Sequence, residues 1–419
     1  MNDQQTYHHN YRDVARLSHT VLLALVCMFL SLPSCTRNTE NVSSIPTCEI
    51  TAPLDSLVDS MFPVDNEPGC VLAVMRGDSI VYEKCKGVAD LDSMKAITGN
   101  TVFNLSSSSK LFTSIAMLKL IDEGKLSLDD TLDKFFPEFP EEIFHKITIR
   151  HLMTHTSGLP DLRPCTPEEW ADFISCNNTI FGDIDTYRLY GRVNEYMKLF
   201  QHLERTLYEP GSRYVRHDPS YMLITPLIER ITGEDFDTWM NENIFMPAGV
   251  NGSIFYFQPT HEYKNMAHAY ILPGNNSARR ARLRSDGRWG EADYGEVDFF
   301  LSRADRGAFG SARTFLRFIS ALYSFKVVPE SILTQTTYDI YYDSKMPNVH
   351  YGLGNALLTE PGMPLKRYHM YNNGGFQIIE ATWPNAGISY VMFANRNDWD
   401  FRSTAAKIDE IIKSKVWLN

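Results

Sequence analysis

Apolar and polar positions change their spacing several times along the chain. Val21 to Leu30 is an unbroken apolar run. Leu54 to Phe62 has apolar residues at helical intervals, and the mixed segment between Cys70 and Cys85 turns at Gly77-Asp78, which predicts a hairpin. With that turn centred, Cys70 and Cys85 fall opposite each other. Leu111, Phe112, Ile115, Leu118 and Ile121 then define one apolar face of a helix that opens at Ser107 and ends at Gly124. From 125 to about 300 the pattern is mostly helical and irregular, and it includes a helix over Tyr221–Ile231 kinked by Pro226 and stopped by Gly233. Another helix covers Ala312–Phe325. Extended spacing returns over Leu365–Tyr371, Phe376–Thr382 and Ile388–Ala394, and Thr404–Trp417 forms a last helix. Strands at both ends of the sequence with a helical block between them predict an α+β fold, an α/β sandwich. Its antiparallel sheet is flanked by helices and carries an inserted, mostly helical lobe.

Composition adds little to this and charge removes one class of partner. The 419 residues are 43% hydrophobic and 22% charged, the balance of a globular chain. Net charge is −11 with no basic stripe, so nucleic acid is not an expected partner, because phosphate binding needs clustered Lys and Arg. The N-terminal run, preceded by Arg12 and Arg16, is shorter than the ~20 residues that span a bilayer and suits a signal-peptide core. It closes on Leu32-Pro33-Ser34-Cys35, which resembles the bacterial lipobox. The resemblance implies residues 1–35 as a lipoprotein signal peptide ending at a lipidated Cys35, and 36–52 as a tether. It also implies an exported protein held in the cell envelope by its lipid alone. Residues 53–419 form the remaining domain, with a sheet lobe over about 53–105 and 305–419 and a helical lobe over about 120–300. In an exported chain Cys70 and Cys85 either form a cross-strand disulfide or stay as buried thiols, and Cys165 could pair with Cys176.

The chemistry centres on Phe103-Asn-Leu-Ser-Ser107-Ser-Ser-Lys110-Leu-Phe-Thr113. A serine at a helix start with a lysine three residues on places both side chains on one face, an amine beside a hydroxyl. Four further segments stand in order behind it. They are Leu126-Ser-Leu-Asp-Asp-Thr-Leu132, Ile147-Thr-Ile-Arg-His-Leu-Met-Thr-His-Thr-Ser-Gly-Leu-Pro160, Pro210-Gly-Ser-Arg-Tyr214 with Ile228-Glu-Arg-Ile-Thr-Gly233, and Gly307-Ala-Phe-Gly-Ser-Ala-Arg-Thr-Phe-Leu-Arg-Phe318. Together they resemble the superfamily of serine β-lactamases and penicillin-binding D,D-peptidases, nearer its class C, carboxypeptidase and esterase branch. The likeness runs from about residue 54 to the C-terminus. It implies a β-lactamase/transpeptidase-like fold, Ser107 as nucleophile and Lys110 beside it, no cofactor, and a small-molecule or peptide substrate. His151 and His155 have zinc-helix spacing but lack the intervening glutamate, and no metal site is expected there.

The chain departs from the family at two motifs. Where Tyr-x-Asn is usual, it carries Arg216-His217-Asp218, and a guanidinium cannot serve as general base. Where Lys or His, any residue, then Gly is usual, an ungapped register gives His369-Met370-Tyr371; a slipped one gives Asn372-Asn373-Gly374. Three routes for proton transfer remain open. Lys110 acts alone, its neutral form favoured by burial and by Arg216; a phenol of Tyr214, Tyr221 or Tyr371 substitutes; or His369 carries the proton with Asp218 orienting a partner. An oxyanion hole is expected from the Ser107 amide and a strand amide near Asn372, and Arg216 could bind a substrate carboxylate. The alternative to hydrolysis is a cleft that binds peptide or cell-wall fragments without turnover.

Overall fold

The computed structural model describes residues 47–160 and 197–416, apart from position 217 and the segments 257–262, 273–280, 285–286, 293–302, 337–340, 343–347, 353 and 374. The expected leader, Cys35 and most of the tether lie outside the described residues, as do Cys165 and Cys176.

Helix α1 (Thr47–Met61) leads into β1 (Cys70–Arg76) and β2 (Ser79–Lys86), the expected hairpin. Its register corrects the cysteine pairing. Val74 faces Tyr82 while Met75 faces Ile80, so Val81 is an extra residue and the strand bulges there. Cys70 consequently faces Lys86, and Cys85 faces Val71. Neighbouring positions on a strand point to opposite faces, so the two thiols are on different sides of the sheet. Both are free.

β3 (Val102–Asn104) precedes a 3-10 turn at Ser106–Ser108 and helix α2 (Ser109–Asp122). The expected one-sided apolar face of α2 is not what the fold builds. The helix is buried on nearly every side, and its polar residues are satisfied internally. Ser109 Oγ donates to Ser106 O at 2.7 Å and Thr113 Oγ1 to Ala304 O at 2.7 Å. Phe112 packs edge-on against Phe245, Phe315 and Phe318, with ring centres 5.4, 5.8 and 4.7 Å away. Gly124, at φ +68°, lets the chain leave the helix in the left-handed conformation that glycine takes without penalty.

The expected helix over Tyr221–Ile231 is divided into α3 (Asp218–Met222) and α4 (Ile224–Thr232). Pro226 has no N–H for the carbonyl four residues back, Met222, which is where the first piece ends. The later part of the helical block also holds a small sheet of Tyr270–Ile271, Ala281–Leu283 and Gly290–Ala292. Helix α5 (Arg303–Arg306), strand β4 (Ala308–Ser311) and helix α6 (Ala312–Tyr323) follow, with β4 paired to β3.

The remaining strands are β5 (Tyr341–Tyr342), β6 (Val349–Tyr351), β7 (Ala356–Leu358), β8 (Lys366–Asn373), β9 (Phe376–Trp383) and β10 (Ile388–Ala394), before helix α7 (Phe401–Val416). They join the first hairpin in one antiparallel sheet of order β5-β6-β7-β8-β9-β10-β1-β2. The two ends of the sequence meet where Cys70 pairs with Ala394. β9 and β10 are buried along their whole length because helices cover both faces. On one side, Phe393 meets Phe315 of α6 at 6.0 Å between ring centres; on the other, the Tyr390 hydroxyl donates to Asp409 of α7 at 2.8 Å. β7 pairs with β8 only as far as Tyr368. Beyond that point the outer edge of β8 has no partner strand among the described residues, and this edge runs past the candidate site.

Candidate active site

Ser107 sits in the 3-10 turn ahead of α2, with no exposed surface. Its neighbour Ser106 has φ +53°, a conformation that costs an L-residue about 1–2 kcal/mol. The surroundings hold it there: Ser106 N–H donates to Asn104 Oδ1 at 3.0 Å, and Asn104 Nδ2 donates to Arg306 O at 3.1 Å. Ser109 Oγ accepts the Ala308 N–H at 3.0 Å, tying the turn to β4. The Ser107 N–H donates to no acceptor among the described residues, so it is available as one half of an oxyanion hole.

Lys110, one turn on and likewise without exposed surface, points its amine at three acceptors. Ser107 Oγ is at 3.0 Å, Asp218 Oδ1 at 3.2 Å and the Asp305 carbonyl at 3.3 Å, with the Asp305 carboxylate at 3.6 Å. Arg306 binds both acids, through Nη2 to Asp218 and through Nε to Asp305 at 3.0 Å. Lys110 and Arg306 thus share two carboxylates, Asp218 and Asp305, in one largely buried network. With two tetrahedral positions of Nζ committed to Asp218 and Asp305, the third lies toward Ser107. An amine can take the serine proton along that line, and an ammonium can donate along it.

Arg216 occupies the place where the family has a phenol. Its Nη2 donates to Ser107 Oγ at 3.2 Å and to His369 Nε2 at 3.4 Å, and the guanidinium lies 4.9 Å from the centre of the Tyr371 ring. Arginine only donates, so Nε2 is the accepting nitrogen of His369 and the ring proton belongs on Nδ1. Burial, then the positive charges of Arg216 and Lys110, hold His369 well below the usual histidine range. The ring is neutral at physiological pH.

Strand alternation sorts the remaining residues. His369 and Tyr371 share the face of β8 turned to Ser107, in the ungapped register; Asn372 belongs to the opposite face and its side chain is exposed. Asn372 can therefore contribute its backbone but not its amide side chain. The expected phenol substitutes are not at the serine. Tyr221 donates its hydroxyl to Met153 O at 3.0 Å and sits 3.2 Å from Ser114 Oγ, with its ring 5.5 Å from Lys110 Nζ. Tyr371 lies beneath Arg216, and Tyr214 packs against His155 and Tyr351. Asp218 contacts Lys110 rather than His369. His151 caps its own short helix, accepting the Thr148 N–H at 3.2 Å, while His155 packs 5.1 Å from Tyr221 and 5.0 Å from Tyr351.

Three residues here were not anticipated. Asp305 and Arg306 complete the lysine network, and their signal was an Arg303-Ala-Asp-Arg306 cluster directly ahead of the Gly307 segment. Glu380, the cross-strand partner of His369, is the acidic residue of a strand that is buried along its whole length. Beside His369 and Arg216 a cavity of about 390 Å³ opens, lined by Tyr214, Tyr351, Tyr368, Met370 and Arg402.

A serine hydroxyl set against a lysine one helical turn away, beside a free strand edge of an antiparallel sheet, defines a penicillin-recognising type of serine hydrolase. Comparison with known proteins agrees. The beta-lactamase family profile matches residues 58–413. A putative D-alanyl-D-alanine carboxypeptidase of Escherichia coli is 30% identical over 205 residues, covering 45% of this chain and 43% of that protein. The chain spans about half the length of the curated relatives it matches. Among solved structures, the octameric penicillin-binding protein homologue from Pyrococcus abyssi aligns with a TM-score of 0.69 at 20% identity, over 86% of this chain and 76% of that one. D-amino acid amidase from Ochrobactrum anthropi SV3, complexed with D-phenylalanine, aligns at 0.67 and 21% identity, over 88% and 98%. The chain belongs to the beta-lactamase family, whose members are serine hydrolases.

Proposed function

We propose that this chain forms an acyl-enzyme on Ser107 and hydrolyses amide or peptide bonds of D-amino-acid or cell-wall-type substrates, or esters. The observation that carries this reading is the 3.0 Å contact between Lys110 Nζ and Ser107 Oγ, with the same amine held by Asp218 and Asp305. The neutral amine of Lys110 takes the hydroxyl proton as Oγ bonds the carbonyl carbon, and the ammonium so formed returns it to the leaving amine. Arg216 offsets the negative charge that builds on Oγ. The Ser107 N–H and an outward N–H of β8 receive the oxyanion. The carboxypeptidase and amidase relatives support the substrate class, and so does the cavity lined by aromatic rings and by Arg216 and Arg402, which suits an amino-acid side chain and a carboxylate. A second reading, binding without turnover, is favoured by one feature: Arg216 closes over a serine that has no exposed surface.

Intact mass of the soluble part, starting near Ser43, separates the two readings. Incubation with a fluorophosphonate, and separately with a penicillin, is expected to add one reagent mass with at least one of them. A folded protein that takes up neither reagent is the result that supports the binding protein instead. The same proposal places the protein outside the cytoplasm, anchored through Cys35. Cys35→Ser is expected to move it from the membrane to the soluble fraction of a cell lysate; an unchanged distribution would remove the anchor from the proposal.

A further inference from the structure

His369 and Glu380 face each other across β8 and β9, 6% and 5% exposed, with Nδ1 and Oε1 3.9 Å apart. Neither His369 Nδ1 nor Glu380 Oε2 makes a hydrogen bond. Leaving a buried polar atom unpaired costs about 1–3 kcal/mol, so a shift of roughly 1 Å that joins them is favoured. Arg216 has already fixed the direction of that bond. Nε2 is an acceptor, hence Nδ1 carries the proton and Glu380 is the acceptor it faces.

We propose that Glu380 is a positioning residue for the hydrolytic step, holding His369 with Nδ1–H toward the strand pair and Nε2 open as proton acceptor beside Ser107. The inference rests on the acyl-enzyme reading above. When substrate draws Arg216 aside, water next to the acyl group gives its proton to Nε2 as its oxygen bonds the carbonyl carbon. On collapse the proton passes to Ser107 Oγ as the carbon–Oγ bond breaks, and the free acid leaves.

The groups around the pair set its pH response. His369 meets the charges of Arg216 and Lys110, the His155 ring and, in the opposite sense, Asp218. Glu380 is pushed up to about 8 by burial, with the Ser108 hydroxyl pulling the other way, and Tyr323 of α6 lies within the field of both Glu380 and Arg367. Below that pH the pair is neutral and His369 is a weak base. As Glu380 ionises, a carboxylate beside Nδ1–H favours the imidazolium and strengthens Nε2 as acceptor. Deacylation is therefore expected to accelerate from about pH 7 to pH 9.

The test compares wild type and Glu380→Gln with two reagents. Gln keeps an acceptor for Nδ1–H but cannot become charged. Fluorophosphonate labelling, which reports only acylation-type attack by Ser107, is expected to stay within about twofold, while hydrolysis of a p-nitrophenyl ester stalls at the acyl-enzyme. Deacylation at pH 9 falls roughly tenfold to hundredfold and loses its rise with pH. A Glu380→Gln protein that deacylates with the wild-type rate and pH profile overturns the proposal. Nitrogen NMR of the wild type supplies a check that needs no variant: a neutral His369 protonated on Nε2 also overturns it. No labelling of wild type at all is a different result, and it removes the hydrolase reading itself.

Discussion

Ser107→Ala abolishes every covalent adduct, lowering the labelling rate by at least ~10⁴-fold, while the protein stays folded. The fold is expected to tolerate the change because the hydroxyl is an acceptor that its partners can do without. Lys110 keeps Asp218 and the Asp305 carbonyl, and Arg216 keeps His369 and the Tyr371 face. Losing one such bond costs about 1 kcal/mol, which moves the melting temperature of a domain this size by a few degrees. Intact mass after fluorophosphonate treatment, with thermal unfolding measured alongside, checks both parts. The informative surprise is an adduct that persists. Ser106 and Ser108 flank Ser107, both are buried, and the Ser106 hydroxyl makes no hydrogen bond. Peptide mapping that finds label on either would move the nucleophile by one residue and detach it from Lys110.

The parts of this site that could be read in the sequence are those built from local spacing. Ser107 and Lys110 are three residues apart, and a helix alone brings them together. The ungapped placement of His369 and Tyr371 comes from counting back from Trp383-Pro384 and Gly375-Phe376, and strand alternation does put both on the side of Ser107. Arg216 could be seen as a departure from the family, but its double contact with Ser107 and His369 could not. The lysine network escaped notice because Asp305 reaches Lys110 across 195 residues of chain, and no local pattern encodes that meeting. Glu380 was missed for a related reason. Its identity as a buried acid requires the β8–β9 register, in which His369 falls opposite it.

The fold shows the same division. Alternation and helical periodicity predicted the terminal strands, the hairpin and the long helices, because hydrophobic burial dictates those patterns residue by residue. The hairpin's bulge at Val81 was invisible to pattern, and it alone separates Cys70 from Cys85. α2 misled in the other direction. Its serines and threonine lie outside the apolar face that the spacing defines, yet they bond main-chain carbonyls and a tyrosine inside the protein. Polar residues this close to Ser107 hold its turn in place.

Lys110→Met is expected to cut labelling of Ser107 by roughly 10³-fold and, unlike Ser107→Ala, to weaken the fold substantially. Methionine fills similar volume, so the loss is electrostatic. Lys110 and Asp305 have no exposed surface, and removing the lysine takes one cation from the network that Arg306 shares with Asp218 and Asp305. Stranding a buried charge in this way costs about 3–5 kcal/mol, readable as a shift in the urea midpoint. Adding Asp305→Asn to Lys110→Met restores charge balance and should recover part of that stability, because the two residues share one network and their effects do not add. It should recover none of the labelling, since no amine faces Ser107 Oγ in either variant. That split distinguishes a lysine that acts on the serine proton from one that merely props the turn. Labelling of Lys110→Met at the wild-type rate would exclude Lys110 as the base for attack. His369 Nε2, the other acceptor held beside Ser107 through Arg216, would then carry both halves of the reaction.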